Sequence, residues 1–279
     1  MERGWRRHAP ALALAVLSPA IAELLSGSTR ITLVFYAPLW FALDFAGLML
    51  FYGGGALLIR EAAVRWGKGW ASVLLLGAAY GIVEEGLAIH TFFQPVGGAV
   101  GALGSFGRWG GVDLLWALGL TAYHAVISIA LPILLIELTF PATRGQRFLS
   151  RRSAIAVGAG YVGIVSLFAV VEPDFPSPEL FALALGAVGL LVLAARWAPR
   201  NLLLPRPGRP SARPWAFVLA GSGLFVDWLI AGLAGPSLFP SAILAGSVYV
   251  AGLVAVLLSS SDPRGRRTYA GPSTGSLRA

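Results

Sequence analysis

Eight apolar runs, at about 9–26, 31–59, 70–93, 113–139, 153–171, 177–195, 214–233 and 239–259, occupy nearly the whole chain. Each is close to or above the ~20 residues a helix needs to cross the hydrocarbon core of a bilayer. Only 12% of the residues are charged and 57% are hydrophobic, where a soluble domain carries about 25% charge. Mean hydropathy is +0.75. The expected fold is therefore all-α, a polytopic transmembrane helix bundle of about eight spans with no room for a soluble domain.

The basic residues set the expected orientation. Lys and Arg number three before the first run, three at 60–69, four at 140–152, five at 196–213 and four in the C-terminal tail. These 19 of the 21 fall on one side of an eight-span path, and the other side holds only Arg30 and Arg108. By the positive-inside rule both termini are expected in the cytoplasm, with the protein in the plasma membrane. The net charge of +8 thus reads as membrane orientation rather than nucleic-acid binding, with membrane lipids and the anionic inner leaflet as expected partners. Arg6-Arg7, an apolar stretch and Ala20-Ile21-Ala22 also resemble a secretory signal. Cleavage there would remove residues 1–22 and leave seven spans.

A Pro- and Arg-rich stretch at 196–213, expected on the inner leaflet, divides the chain. Residues 1–195 form a six-span front part, 214–259 a two-span tail and 260–279 a polar tail expected to be disordered. The chain has no cysteine, so disulfides, thiolate catalysis and cysteine metal sites are excluded.

Within the third run stand two adjacent carboxylates, Glu84 and Glu85. A charge near mid-bilayer costs roughly 2.5–3.5 kcal/mol, and snorkelling relieves that only near helix ends. At a rise of ~1.5 Å per residue, the pair lies roughly 12–14 Å from the outer end of its run. The next run returns antiparallel and brings His124 to about 16 Å from the same surface. Thr121, His124 and Ser128 follow i, i+3, i+7 spacing on one stripe, and Tyr80 shares the face of Glu84. A carboxylate pair, an imidazole and a hydroxyl stripe in an apolar bundle are the parts of a general base with an oxyanion donor. Two such close carboxylates are expected to share a proton. The plain alternative is that His124 pairs with a glutamate only to hold two helices in register.

Asp44 and Asp227, near the middle of the second and seventh runs, are further candidates for the site or a proton path. Glu23, near the outer end of the first run, faces either the same vestibule or solvent. Arg60-Glu61 reads as a structural ion pair or lipid contact at the inner boundary, and Glu137 as snorkelling. His90 lies off the face of Glu84, and no zinc-ligand spacing such as HExxH is present, so neither metal nor cofactor is expected. The glycine-rich segment 97–111 caps the same side as a lid or a plain connector. Tyr52-Gly53-Gly54-Gly55 suggests close backbone packing or a local helix break.

Tandem glutamates on one span and a histidine on the next resemble the CAAX protease and bacteriocin-processing family of intramembrane glutamic proteases. Its pattern is Glu-Glu-x-x-x-Arg, Phe-x-x-x-His and a third His-x-x-x-Asn or Asp. Glu84-Glu85-Gly86-Leu87-Ala88-Ile89 keeps the glutamates with isoleucine in the arginine's place. Leu120-Thr121-Ala122-Tyr123-His124 keeps the histidine with leucine for phenylalanine, and the third motif has no counterpart. The resemblance implies a water activated by Glu84 or Glu85 and an oxyanion stabilised by His124. Tyr52–Glu61 and Ala78–Ala88 also look like segments of an uncharacterised prokaryotic membrane-protein family. The expected function is an intramembrane hydrolase of a membrane-embedded or lipidated peptide. A proton-coupled small-solute transporter and a non-catalytic lipid-binding or scaffolding protein stand as alternatives.

Overall fold

A computed structural model describes residues 2–26, 28–94, 108–172, 175–200 and 202. Among them six helices are long and apolar enough to cross a membrane. They are His8–Leu25, Pro38–Arg65, Trp70–Ala88, Trp116–Thr139, Arg151–Val171 and Pro178–Trp197, here called spans one to six. The protein is a membrane helix bundle, as its apolar runs require. The expected seventh and eighth runs with Asp227, the polar tail and the glycine-rich segment as far as Gly107 lie outside the described residues.

Span three is the axis of the bundle, with 72% of its apolar window buried against 50% or less for every other span. It packs on spans two, four, five and six. Burial of apolar area gives little drive inside lipid, so close approach of small residues has to hold such helices together. A methyl group added at Gly77 would stand 2.8 Å from Cα of Ala125, and one at Gly81 would stand 3.0 Å from Cβ of His124. Gly53 lies against the backbone of Ala15 in span one, and Gly55 admits the ring of Tyr80. The glycine run of span two is thus a packing surface on both sides. Hydroxyls reinforce it: Ser18 donates to the Ser128 carbonyl (2.8 Å) and Ser72 to that of Ala195 (2.7 Å). Span five has no residue buried in its apolar window and meets the core through the half-buried Tyr161, Ile164 and Phe168.

Some boundaries differ from the sequence pattern. Span two starts at Pro38 rather than near residue 31, because proline favours the first helical turn. Span three ends at Ala88 rather than Phe93, and the chain turns at His90, which holds a left-handed φ of 57°. A short hairpin pairs Arg108 with Asp113 and Trp109 with Val112. Asp113 then accepts the Trp116 N–H (3.0 Å) and caps the start of span four.

At the basic end of the spans, Arg60 and Glu61 are buried rather than lying at a lipid boundary. Arg60 donates to the carbonyls of Gln146 (2.9 Å) and Thr143 (3.1 Å), and its guanidinium covers the Phe148 ring. Glu61 accepts from Arg65 (2.8 Å) and from the backbone N–H of Phe148 (3.0 Å). Glu137 faces Arg60 at 3.6 Å instead of reaching for water alone. These contacts fold the loop between spans four and five back onto span two.

The packing predicts a contrast between two glycines. Gly77→Ala drives a methyl group into the span-four backbone and should cost about 1–3 kcal/mol, whereas Gly119→Ala meets nothing within 4 Å. Thermal unfolding in detergent should show a clear loss for the first and almost none for the second.

Candidate functional site

Four helices contribute side chains to one buried cluster, and each widens into a π-helical turn where it does so. The π turns are Ala20–Leu25, Met49–Gly53, Val83–Ala88 and His124–Ala130. They carry Glu23, Tyr52, the glutamate pair, and His124 with Ser128 respectively. π turns are rare and concentrate at functional sites. The local reason is geometric. Successive α-helical side chains diverge by about 100°, so Glu84 and Glu85 would leave on different faces. The wider turn, closed by Ile89 N–H on the Glu84 carbonyl (2.9 Å), lets both reach the same imidazole.

That imidazole is held from both sides. His124 Nδ1 is 3.1 Å from Glu84 Oε2, and Nε2 is 3.0 Å from Glu85 Oε1. The Ser128 hydroxyl is 3.0 Å from Nδ1. Exposure is 2% for Glu84, 6% for Glu85 and 3% for His124, so the charges are compensated by one another and not by solvent. The expectation that helices three and four bring these residues to one depth holds in the structure.

Hydrogen bonds extend the cluster both ways. Tyr52 OH lies against Oε1 of both Glu84 and Glu23, and Glu23 Oε2 accepts from Thr29 (2.9 Å). On the other flank Thr91 donates to Glu85 Oε2 and accepts from the Trp116 indole (3.1 Å). A tyrosine hydroxyl has one proton to give, yet Tyr52 faces two carboxyl groups. Only one of the two can therefore accept the Tyr52 proton at a time. The left-handed turn at His90, which costs roughly 1–2 kcal/mol, brings the Thr91 hydroxyl back over Glu85.

Aromatic rings wall the site. The rings of Tyr52, Tyr80 and Tyr123 stand 6.3, 6.0 and 5.4 Å from that of His124. The Tyr80 hydroxyl is buried beside the Glu84 carboxylate, without a fully formed hydrogen bond between them.

The remaining candidates separate. Thr121 is half-buried with its backbone against Gly81, at the helix interface and outside the hydrogen-bond chain described above. Asp44 is exposed on span two and does not join the cluster, which corrects that expectation. Asp227 lies outside the described residues. His90 is buried apart, 3.2 Å from the Leu87 carbonyl and edge-on to Phe175. Glu23 takes the first of its two expected places, against Tyr52, and Tyr52 and Thr91 are the additions. Tyr52 carried no signal beyond its glycine neighbours, and Thr91 was hidden because its run reads as apolar through Phe93. Glu84, Glu85 and His124 each offer an atom within 4.8 Å of the others, so they could together hold a metal ion. The imidazole would first have to turn, since its two nitrogens face different carboxylates.

Removing His124 should leave two buried carboxylates uncompensated. His124→Ala is expected to destabilise by about 3–5 kcal/mol, with Glu84→Gln and Glu85→Gln on the same background recovering part of the loss. A double-mutant cycle on Tyr52→Phe and Glu23→Gln should return a coupling of about 0.5–3 kcal/mol. Unfolding in detergent measures both.

No curated protein and no solved structure matches the chain. Nothing in these comparisons carries the likeness to the CAAX proteases. A model described as an uncharacterized membrane protein family matches residues 12–262, which is most of the chain, and the protein belongs to that family.

Proposed function

We propose that this membrane protein is an intramembrane hydrolase that cleaves an amide in a membrane-embedded or lipidated peptide. The observation that carries the reading is the buried imidazole between two carboxylates, with the Tyr80 ring beside it. One glutamate takes a proton from a water as its oxygen attacks the carbonyl carbon. The Tyr80 hydroxyl and a His124 N–H donate to the resulting oxyanion, replacing bonds that the substrate displaces. The C–N bond then breaks, and the proton held by the glutamate passes to the leaving amine. Apolar walls and buried neighbours favour such chemistry, because hydrogen bonds to developing charge are stronger where water is excluded. With both termini cytoplasmic in the plasma membrane, as the basic loops favour, the site lies in the outer half of the bilayer.

A second reading, proton-coupled movement of a small solute, is favoured by one specific feature. The chain Thr29–Glu23–Tyr52–Glu84 leads from a half-exposed helix end to the buried cluster. Protons could exchange along it without hydrolysis. The exposed position of Asp44 counts against extending that path through span two.

Comparing membrane-proteome termini and secreted peptides between cells making wild type and Glu84→Gln/Glu85→Gln tests the proposal. Termini that vanish in the variant at equal expression support hydrolysis and identify its substrate. Identical termini with a folded variant would sink it and leave solute flux as the reading to pursue. With the substrate so found, Tyr80→Phe should lower kcat by about 10²–10³-fold, the usual loss for one oxyanion donor, with KM little changed.

A further inference from the structure

At the basic end of the bundle, away from the glutamate–histidine cluster, the described residues line a half-open pocket of about 220 Å³. Arg60, Lys68 and Arg200 line it against a single carboxylate, Glu137. The guanidinium of Arg60 is 2% exposed, and both its Nη atoms donate to loop carbonyls. Its Nε makes no hydrogen bond, with Glu137 Oε1 no nearer than 3.6 Å. Beyond this loose ion pair with Glu137 the Nε donor has no hydrogen-bond acceptor, which suits an anion in the pocket.

A second set of donors meets it there. Span three starts after Gly69, an extended residue with no side chain to cap the helix. Ser72 and Val73 bond back to the Gly69 carbonyl, while the N–H groups of Trp70 and Ala71 have no intrahelical acceptor. These amides stand at the positive end of the longest-buried helix in the bundle, where anions bind readily. Lys68 Nζ gives one proton to the Ala198 carbonyl (2.9 Å) and keeps two free.

We propose that this pocket binds a phosphate group, held by Arg60 Nε, Lys68 Nζ and the Trp70 amide, with Arg200 also in its wall. Phosphate is the acceptor that can take a guanidinium, an ammonium and helix amides together. The headgroup of an anionic phospholipid and a free phosphate present the same chemistry. Val73 and Ile133 in the wall suit the lipid, and basic pockets between spans at this kind of boundary recognise anionic headgroups.

The full-length protein in detergent is titrated calorimetrically with short-chain phosphatidylglycerol, short-chain phosphatidylcholine and inorganic phosphate. Saturable binding of phosphatidylglycerol, at least tenfold tighter than phosphatidylcholine, is expected. Competition by inorganic phosphate would assign the site to a free anion, and its absence to a headgroup. Lys68→Met/Arg200→Gln should weaken binding roughly thirtyfold and Glu137→Gln should strengthen it about fivefold, at about 1 kcal/mol per charge. The opposite signs separate a lost site from a damaged fold. No saturable binding of either anion would overturn the proposal, as would affinity unmoved by the double variant or weakened by Glu137→Gln.

Discussion

The bundle is organised around the cost of placing Glu84 and Glu85 inside its most buried helix. An uncompensated carboxylate in such a place is expensive, and the surrounding architecture reads as compensation. His124 stands between the two groups, Tyr52 and Thr91 bond their outer oxygens, and Glu23 and Trp116 hold those two in turn. The helices reach one another only because Gly77 and Gly81 let span four approach and Gly53 and Gly55 let span two lie against Ala15 and Tyr80. Packing in this protein follows from its polar chemistry.

Four π turns converging on one cluster express the same constraint in the backbone. Each sacrifices regular hydrogen bonding to re-aim a side chain, and His90 adds a left-handed residue just beyond. A cluster that served only to pin two helices would need one glutamate and one histidine. Here a second carboxylate and three tyrosine rings around His124 are built in as well. The opposite end is organised differently, with Arg60 and Glu61 fastening a loop through its carbonyl and N–H groups.

Much of this was legible in the sequence because membrane burial makes charge conspicuous. Run length marked the six described spans, and the price of a buried charge singled out Glu84, Glu85 and His124. Ser128 followed from helical spacing, and its hydroxyl does meet His124. Tyr52 and Thr91 escaped because tyrosine and threonine are ordinary in apolar runs, and nothing in hydrophobic periodicity marks a π turn. Asp44 misled for a related reason: the cost of a mid-span charge says nothing about which way its helix face points. Arg60 and Glu61 looked like boundary residues because the loop that buries them lies more than 80 positions away.

We expect Glu23 and Glu84 to hold a proton between them through Tyr52, and infrared spectroscopy of the reconstituted protein reads it directly. The predicted result is the carbonyl stretch of a protonated carboxyl at neutral pH, lost in Glu23→Gln and in Glu84→Gln alike and retained in Glu137→Gln. No such band, or one indifferent to Glu23, would contradict it.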